Sequence, residues 1–162
     1  MNLEKQNHFQ KFNLEEKFDI DVNALEAKYL ELQKQFHPDN SSDLIQDEIN
    51  SILVNQAYKI LKNPIQRGIY LLELKGININ SEECVVKPSS ETLMFIMSLR
   101  EEILDNKDDE DKIGEIKARI KKIILEETPE VSNLLIQEQY KEAAQQLIKI
   151  KYLDKIIFDL KK

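Results

Sequence analysis

The stretch VNALEAKYLELQKQFHPD, Val22 to Asp39, is the natural starting point. Its large apolar residues Leu25, Tyr29, Leu32 and Phe36 are spaced so that all four fall on one side of a helix. Asp21 stands where a carboxylate can accept from the free N–H groups of the first turn, so it is the expected N-cap. Pro38 sets the far limit, because the residue before a proline is driven out of the helical region. A second helix is predicted from Ser42 or Asp43 to Lys62, with Ile45, Ile49, Ile52, Leu53, Ala57, Ile60 and Leu61 as its apolar stripe. Asn63 can cap a third helix whose first position is Pro64, where a missing N–H costs nothing. That helix carries Ile65, Ile69, Leu71, Leu72 and Leu74 and should stop at Gly76.

Only three glycines and four prolines interrupt 162 residues, and the intervals between them are long and periodic. The chain therefore reads as all-α. Residues 77–88 lose the helical period and include Asn78, Asn80, Ser81 and Pro88, which makes them a short linker between residues 1–76 and 89–162. Beyond it, Ser89 or Ser90 can cap a helix from about Glu91 to Asn106. The acidic run Asp108 to Asp111 suits the positive end of another, carrying Ile113, Ile116, Ile120, Ile123 and Ile124. Thr128-Pro129-Glu130 reads as a third start, with an unbroken helix from there to Lys161. Three helices joined by short loops predict an antiparallel three-helix bundle.

The formal net charge of -7 argues against bulk attraction to nucleic acid or an anionic membrane. No apolar run is long enough to cross a bilayer, and the first segment, Met1 to Phe18, mixes Lys and Glu, so neither a membrane span nor a secretory leader is expected. The single cysteine, Cys84, can close no internal disulfide and cannot alone build a metal site, so a cytoplasmic setting with no cofactor and no bound metal is expected. Enzyme signatures are scarce. There is no glycine-rich phosphate loop, no Cys-x-x-Cys and no His-Glu-x-x-His, and only His8 and His37 could serve as a histidine base. His8 lies in a polar segment and reads as a surface residue, and the chain as a whole reads as a non-enzyme.

What remains is His37-Pro38-Asp39, immediately after the helix ending at Phe36. On its own the tripeptide also reads as a simple helix stop, with a histidine near the negative end, a proline and a turn aspartate. Its context adds more. A striped helix, then His-Pro-Asp in a loop, then a helix containing Asn55-Gln56-Ala57-Tyr58-Lys59-Ile60-Leu61 resembles the J-domain. Asn63-Pro64, Arg67, Tyr70-Leu71-Leu72 and Gly76, then Leu99-Arg100-Glu101-Glu102 and Tyr152-Leu153-Asp154-Lys155, resemble the HscB-type co-chaperones of iron–sulfur cluster biogenesis. The resemblance spans almost the whole chain.

It implies an N-terminal J-domain, an antiparallel helical hairpin with short helices, over 1–76, and a C-terminal three-helix bundle over 89–162. It also implies two partners: an ATPase chaperone of the HscA/DnaK type, and an IscU-type iron–sulfur scaffold protein delivered by the bundle. His37, Pro38 and Asp39 would dock on the ATPase, with Lys28 and Lys34 supplying positive charge. Asn40 occupies a position where the family commonly has lysine, and Ser98 one where it has an acid. For the scaffold the resemblance points to Leu93, Met94, Met97, Glu101 and Tyr152. The helical spacing lets Leu93, Met94, Met97 and Glu101 share one face while Ile96, Leu99 and Ile103 fill a core, and an exposed Met-Leu face suits adaptable protein binding. Read without the resemblance, the same residues are core of a helix buried on two faces.

Two other readings accompany this one. A generic J-domain co-chaperone would carry another client on the same bundle. A nucleic-acid adaptor would use Lys117, Arg119, Lys121 and Lys122, although glutamates and isoleucines at helical spacing make that stretch most simply a solvated face.

Overall fold

A computed structural model describes residues 2–40, 42–84 and 86–161. Met1, Ser41, Val85 and Lys162, which belong to the expected spans 1–76, 77–88 and 89–162, lie outside the described residues. All regular structure among the described residues is helical. The chain divides into two compact units, Met1–Leu71 and Leu72–Lys162.

The first unit opens with a 3₁₀ turn, Leu3–Lys5, and a one-turn helix α1, His8–Lys11. The side chain of Asn7 accepts from Gln10 N–H while that of Gln10 accepts from Asn7 N–H, so two orphan donors are satisfied reciprocally. α1 stops where Asn13 turns left-handed at φ 56, a conformation that asparagine tolerates better than most residues. Helix α2 spans Val22–Gln35, and Asp21 Oδ1 caps it by accepting from Asn23 and Ala24 N–H at 3.0 and 3.1 Å. Helix α3 spans Leu44–Lys62 under the cap Asp43. Helix α4, Pro64–Leu74, begins with Asn63 Oδ1 accepting from Ile65 N–H at 2.9 Å and ends at Gly76, whose φ of +86 is one that glycine adopts without strain.

The core of this unit is richer at its N-terminus than periodicity suggests. Leu3, Phe9, Phe12 and Phe18 are buried together with Leu25, Leu32, Val54, Ala57, Leu61 and Ile69. Each large side chain so buried contributes on the order of 1.5–3 kcal/mol. His8 corrects the expectation of a surface residue: it is half-buried, and its ring stacks on Tyr70 with centroids 4.2 Å apart. Arg67 is buried as well. It donates to Leu61 O at 2.6 Å and lies 5.2 Å from the Phe18 ring centroid, and burial lowers its pKa against the opposing pull of Asp19.

The stripe expected on α3 is half wrong. Ala57 and Leu61 are buried, together with Val54, which the expected stripe left out, but Ile45, Ile49 and Ile52 face solvent at 76%, 38% and 51% exposure. The cause is the seam with α2, which is polar at this end. Asn55 Oδ1 accepts from Tyr29 Oη at 2.5 Å and from Gln33 Nε2 at 2.9 Å, and Ser51 Oγ donates to Gln33 Oε1 at 3.3 Å. As the α2 number rises from 29 to 33 its partner falls from 55 to 51, so the two helices run antiparallel. The Tyr29 and Tyr58 rings meet edge-on at 3.9 Å.

In the second unit, Val86 is buried and Lys151 Nζ donates to Asn80 Oδ1 at 2.6 Å, so part of the 77–88 segment is fastened. Helix α5, Ser90–Asp105, starts under Ser89, whose Oγ accepts from Thr92 N–H at 3.1 Å. Helix α6, Glu110–Ile136, starts under Asp109 with Glu110 and Asp111 in its positive first turn. Helix α7 spans Tyr140–Leu160. Ile96 and Leu99 of α5, Ile116 and Ile120 of α6, and Leu153, Ile156 and Ile157 of α7 form one core cluster.

The expected start at Thr128-Pro129-Glu130 is corrected: Pro129 lies inside α6, which runs through it. A proline there removes one helical hydrogen bond and typically costs about 3 kcal/mol or more. Local and tertiary contacts offset that cost. Thr128 Oγ1 donates to Ile124 O at 2.5 Å, Gln146 Nε2 of α7 donates to Glu127 O at 3.1 Å, and Val131 and Ser132 beyond the proline are buried. Pro129 itself is exposed, and the preceding turn presents Leu125 to water, so the ring sits on the wet side of the helix.

α6 instead stops at Glu138, which is left-handed at φ 59. Glu138 N–H donates to Leu135 O and Gln139 N–H to Leu134 O, the paired bonds that close a helix end. No glycine announces this stop, which is why the sequence did not show it. α7 is accordingly 21 residues long, about 30 Å, instead of a rod reaching back to residue 129.

Candidate partner-binding sites

The His37-Pro38-Asp39 loop is built by the ends of α2 and α3. His37 follows the last turn of α2, its N–H donating to Lys34 O at 3.3 Å, and Pro38–Asn40 forms a 3₁₀ turn closed by Asn40 N–H on His37 O at 2.9 Å. Within the turn, His37 Nδ1 accepts from Asp39 N–H at 3.2 Å. The Asp39 carboxylate also lies 3.5 Å from Nδ1, but an ion pair there would need a proton on the atom that is accepting. The shorter contact assigns Nδ1 as the acceptor and puts the ring proton on Nε2. The side chains of His37 and Asp39 are 58% and 87% exposed, so both are presented to solvent.

The two expected cations differ. Lys34 is exposed in the last turn of α2, while Lys28 is half-buried and its ammonium is 3.5 Å from the Glu31 carboxylate. Lys28 is thus partly neutralised by a neighbour on its own helix. Asn40, in the position after the tripeptide, donates from Nδ2 to Lys34 O at 3.1 Å.

On α5 the residues sort onto two sides. Ile96 and Leu99 are buried and Ile103 packs against them. Leu93, Met94 and Met97 are 44%, 70% and 62% exposed, and Glu101 is exposed beside them. Tyr152 is not on that helix. It is half-buried on α7 against the cluster containing Ile96 and Leu99, one turn from Lys149, whose ammonium lies 5.5 Å from the Phe95 ring centroid of α5. The exposed face extends further than the sequence reading took it. Leu104, seven residues beyond Met97 and so on the same side, is 65% exposed and borders a groove of about 240 Å³ walled by Ile103, Ile156 and Leu160. The same helical spacing that grouped Leu93 with Met97 would have found it.

Elsewhere, among the described residues no helix is long and apolar enough to cross a membrane, and no three His, Cys, Asp or Glu side chains cluster as metal ligands would. Cys84 is a free, half-buried thiol.

A helical hairpin with His-Pro-Asp at its tip, followed in the same chain by a helical bundle, defines a J-domain co-chaperone. Residues 88–161 match the family described as the HSCB C-terminal oligomerisation domain. Over 96% of its length the chain is 34% identical to the co-chaperone protein HscB homolog of Aliivibrio salmonicida, covering 95% of that protein, and 31% identical to its counterpart in Photobacterium profundum. Among solved structures it is similar to human HscB (TM-score 0.86, 32% identity, 97% of this chain and 81% of that one) and to HscB from Vibrio cholerae (TM-score 0.81, 28% identity, 96% of each). The chain belongs to the HscB family of J-domain co-chaperones of iron–sulfur cluster biogenesis.

Proposed function

We propose that the protein stimulates ATP hydrolysis by an HscA/DnaK-type chaperone through His37, Pro38 and Asp39, and delivers to it an IscU-type scaffold held on the α5 face. The observation that carries this reading is the pairing, in one chain, of a solvent-presented His-Pro-Asp turn with an apolar helix face left uncovered at Met94 and Met97. The loop offers a donor on His37 Nε2 and a carboxylate on Asp39, with Lys34 adding positive charge that suits an acidic patch on the ATPase. Leu93, Met94 and Met97 offer a soft apolar surface, Glu101 gives it a charged edge, and Tyr152 supports it from α7. Carrying both surfaces, one molecule raises the effective concentration of scaffold at the ATPase.

The test is the steady-state ATPase rate of an HscA-type chaperone with an IscU-type scaffold, comparing the native protein with His37→Gln. The native protein should accelerate turnover, and the variant should bind scaffold without doing so. Stimulation that persists in the variant would sink the role given to the loop. Stimulation without scaffold binding would point to another client.

A further inference from the structure

Lys34 stands next to last in α2, and in a continuing helix its carbonyl would accept from the N–H four residues on. That residue is Pro38, which has no N–H to give. The side chain of Asn40 stands in for that donor: its Nδ2 reaches Lys34 O at 3.1 Å, beside the longer 3.3 Å bond from His37 N–H. The main chain of Asn40 works on the other side of the proline, donating its N–H to His37 O at 2.9 Å. One asparagine therefore fastens the tripeptide both to the helix behind it and to its own first residue. His37, Pro38, Asp39 and Asn40 are all exposed, so packing does little to hold them. The order of the loop rests on these two bonds, on those of His37 N–H to Lys34 O and Asp39 N–H to His37 Nδ1, and on the proline ring.

We propose that Asn40 is the positioning residue of this loop, holding His37 and Asp39 in the arrangement the ATPase recognises. The proposal rests on the docking role given to the loop above, and Asn40 itself need not touch the partner. Its effect is on population: a loop that is docking-competent only part of the time binds more weakly in proportion to that fraction.

Two variants test it on the full-length protein, Asn40→Ala, which removes the side-chain donor, and Asn40→Asp, which keeps the shape but cannot donate. Both keep the backbone N–H. Amide order parameters at 37, 39 and 40 should be near about 0.85 in the native protein and fall toward about 0.6 in both variants, with α3 unchanged. In the ATPase assay both should raise the concentration giving half-maximal stimulation about two- to five-fold and leave the maximal rate alone. Native order parameters in both variants overturn the proposal. So does a loss confined to Asn40→Asp, which would make the effect one of charge. A lowered maximal rate at an unchanged half-maximal concentration also overturns it, because that is the mark of a contact residue. A native protein that fails to stimulate defeats the docking role instead, and the order parameters then decide the positioning by themselves.

Discussion

His8 shows what one side chain can do to the pH dependence of the first unit. Its ring is stacked on Tyr70, its backbone N–H donates to the Tyr70 hydroxyl at 3.1 Å, and its pKa is pushed down to about 4, chiefly by burial and secondarily by Lys11. In the unfolded chain the imidazole titrates near 6.5. Between those two values the unfolded state binds a proton that the folded state refuses, so the contribution of His8 is fully present above about 6.5 and is lost as pH falls. Allowing for partial exposure, the native protein should lose about 1–2 kcal/mol from this group between pH 7 and 5, and His8→Phe, which keeps the stacking, should flatten the profile over that window in urea titrations. A variant as pH-sensitive as the native protein would refute the assignment. The sequence hid this site because the segment around His8 has no helical period. Its three phenylalanines, Phe9, Phe12 and Phe18, are core residues whose partners lie elsewhere in the chain.

Helix boundaries were legible where the signal is local and unreadable where it is not. Asp21, Asn63 and Ser89 cap as expected, because a short polar side chain before a periodic run has one obvious use, while Asp43 and Asp109, read only as a helix start and as part of an acidic run, turn out to be caps as well. Thr128-Pro129-Glu130 carries an equally plain start signal, yet α6 passes through it because the packing of α6 on α7 continues on both sides of the proline. Glu138 is the opposite case, a stop without its usual residue. Replacing it with glycine, which adopts the left-handed conformation freely, should stabilise the bundle by about 0.5–1 kcal/mol. Gly114→Ala should do as much by another route. Gly114 lies in the interior of α6, and a methyl group there would meet nothing within 4 Å, so the gain is about 0.5–1 kcal/mol of helix propensity. Thermal unfolding followed by helical circular dichroism checks both, and a lowered midpoint for Gly114→Ala would mean that the face is packed. The α3 stripe failed for a related reason: hydrophobicity alone chose isoleucines for a seam that hydrogen bonds had already filled.

At the scale of the whole chain, the two proposed surfaces lie in different compact units, which makes their functions separable. Met97→Asp should weaken scaffold binding at least about ten-fold, since it places a charge in an apolar contact, and leave unfolding nearly unchanged because the side chain is already in water. It should also leave scaffold-free stimulation of the ATPase untouched, whereas His37→Gln should do the reverse. Isothermal titration against the scaffold together with scaffold-free ATPase rates would show the crossing. A Met97 variant that lost both activities would argue against independent surfaces. The family resemblance and the caps made the helical plan readable, and the resemblance pointed to Leu93, Met94, Met97 and Glu101, which helical spacing allows to share one side of α5. What Asn40 does was not readable, because it depends on a carbonyl six residues back in the chain.

The polar seam of the hairpin has a consequence of its own. Two greasy helices can creep past each other by a turn, about 5.4 Å, and still bury similar area. Tyr29, Gln33, Ser51 and Asn55 satisfy one another at a single setting only. The seam therefore works less like glue than like the notches of a ruler, fixing how far the His37-Pro38-Asp39 tip stands from the base of its own unit.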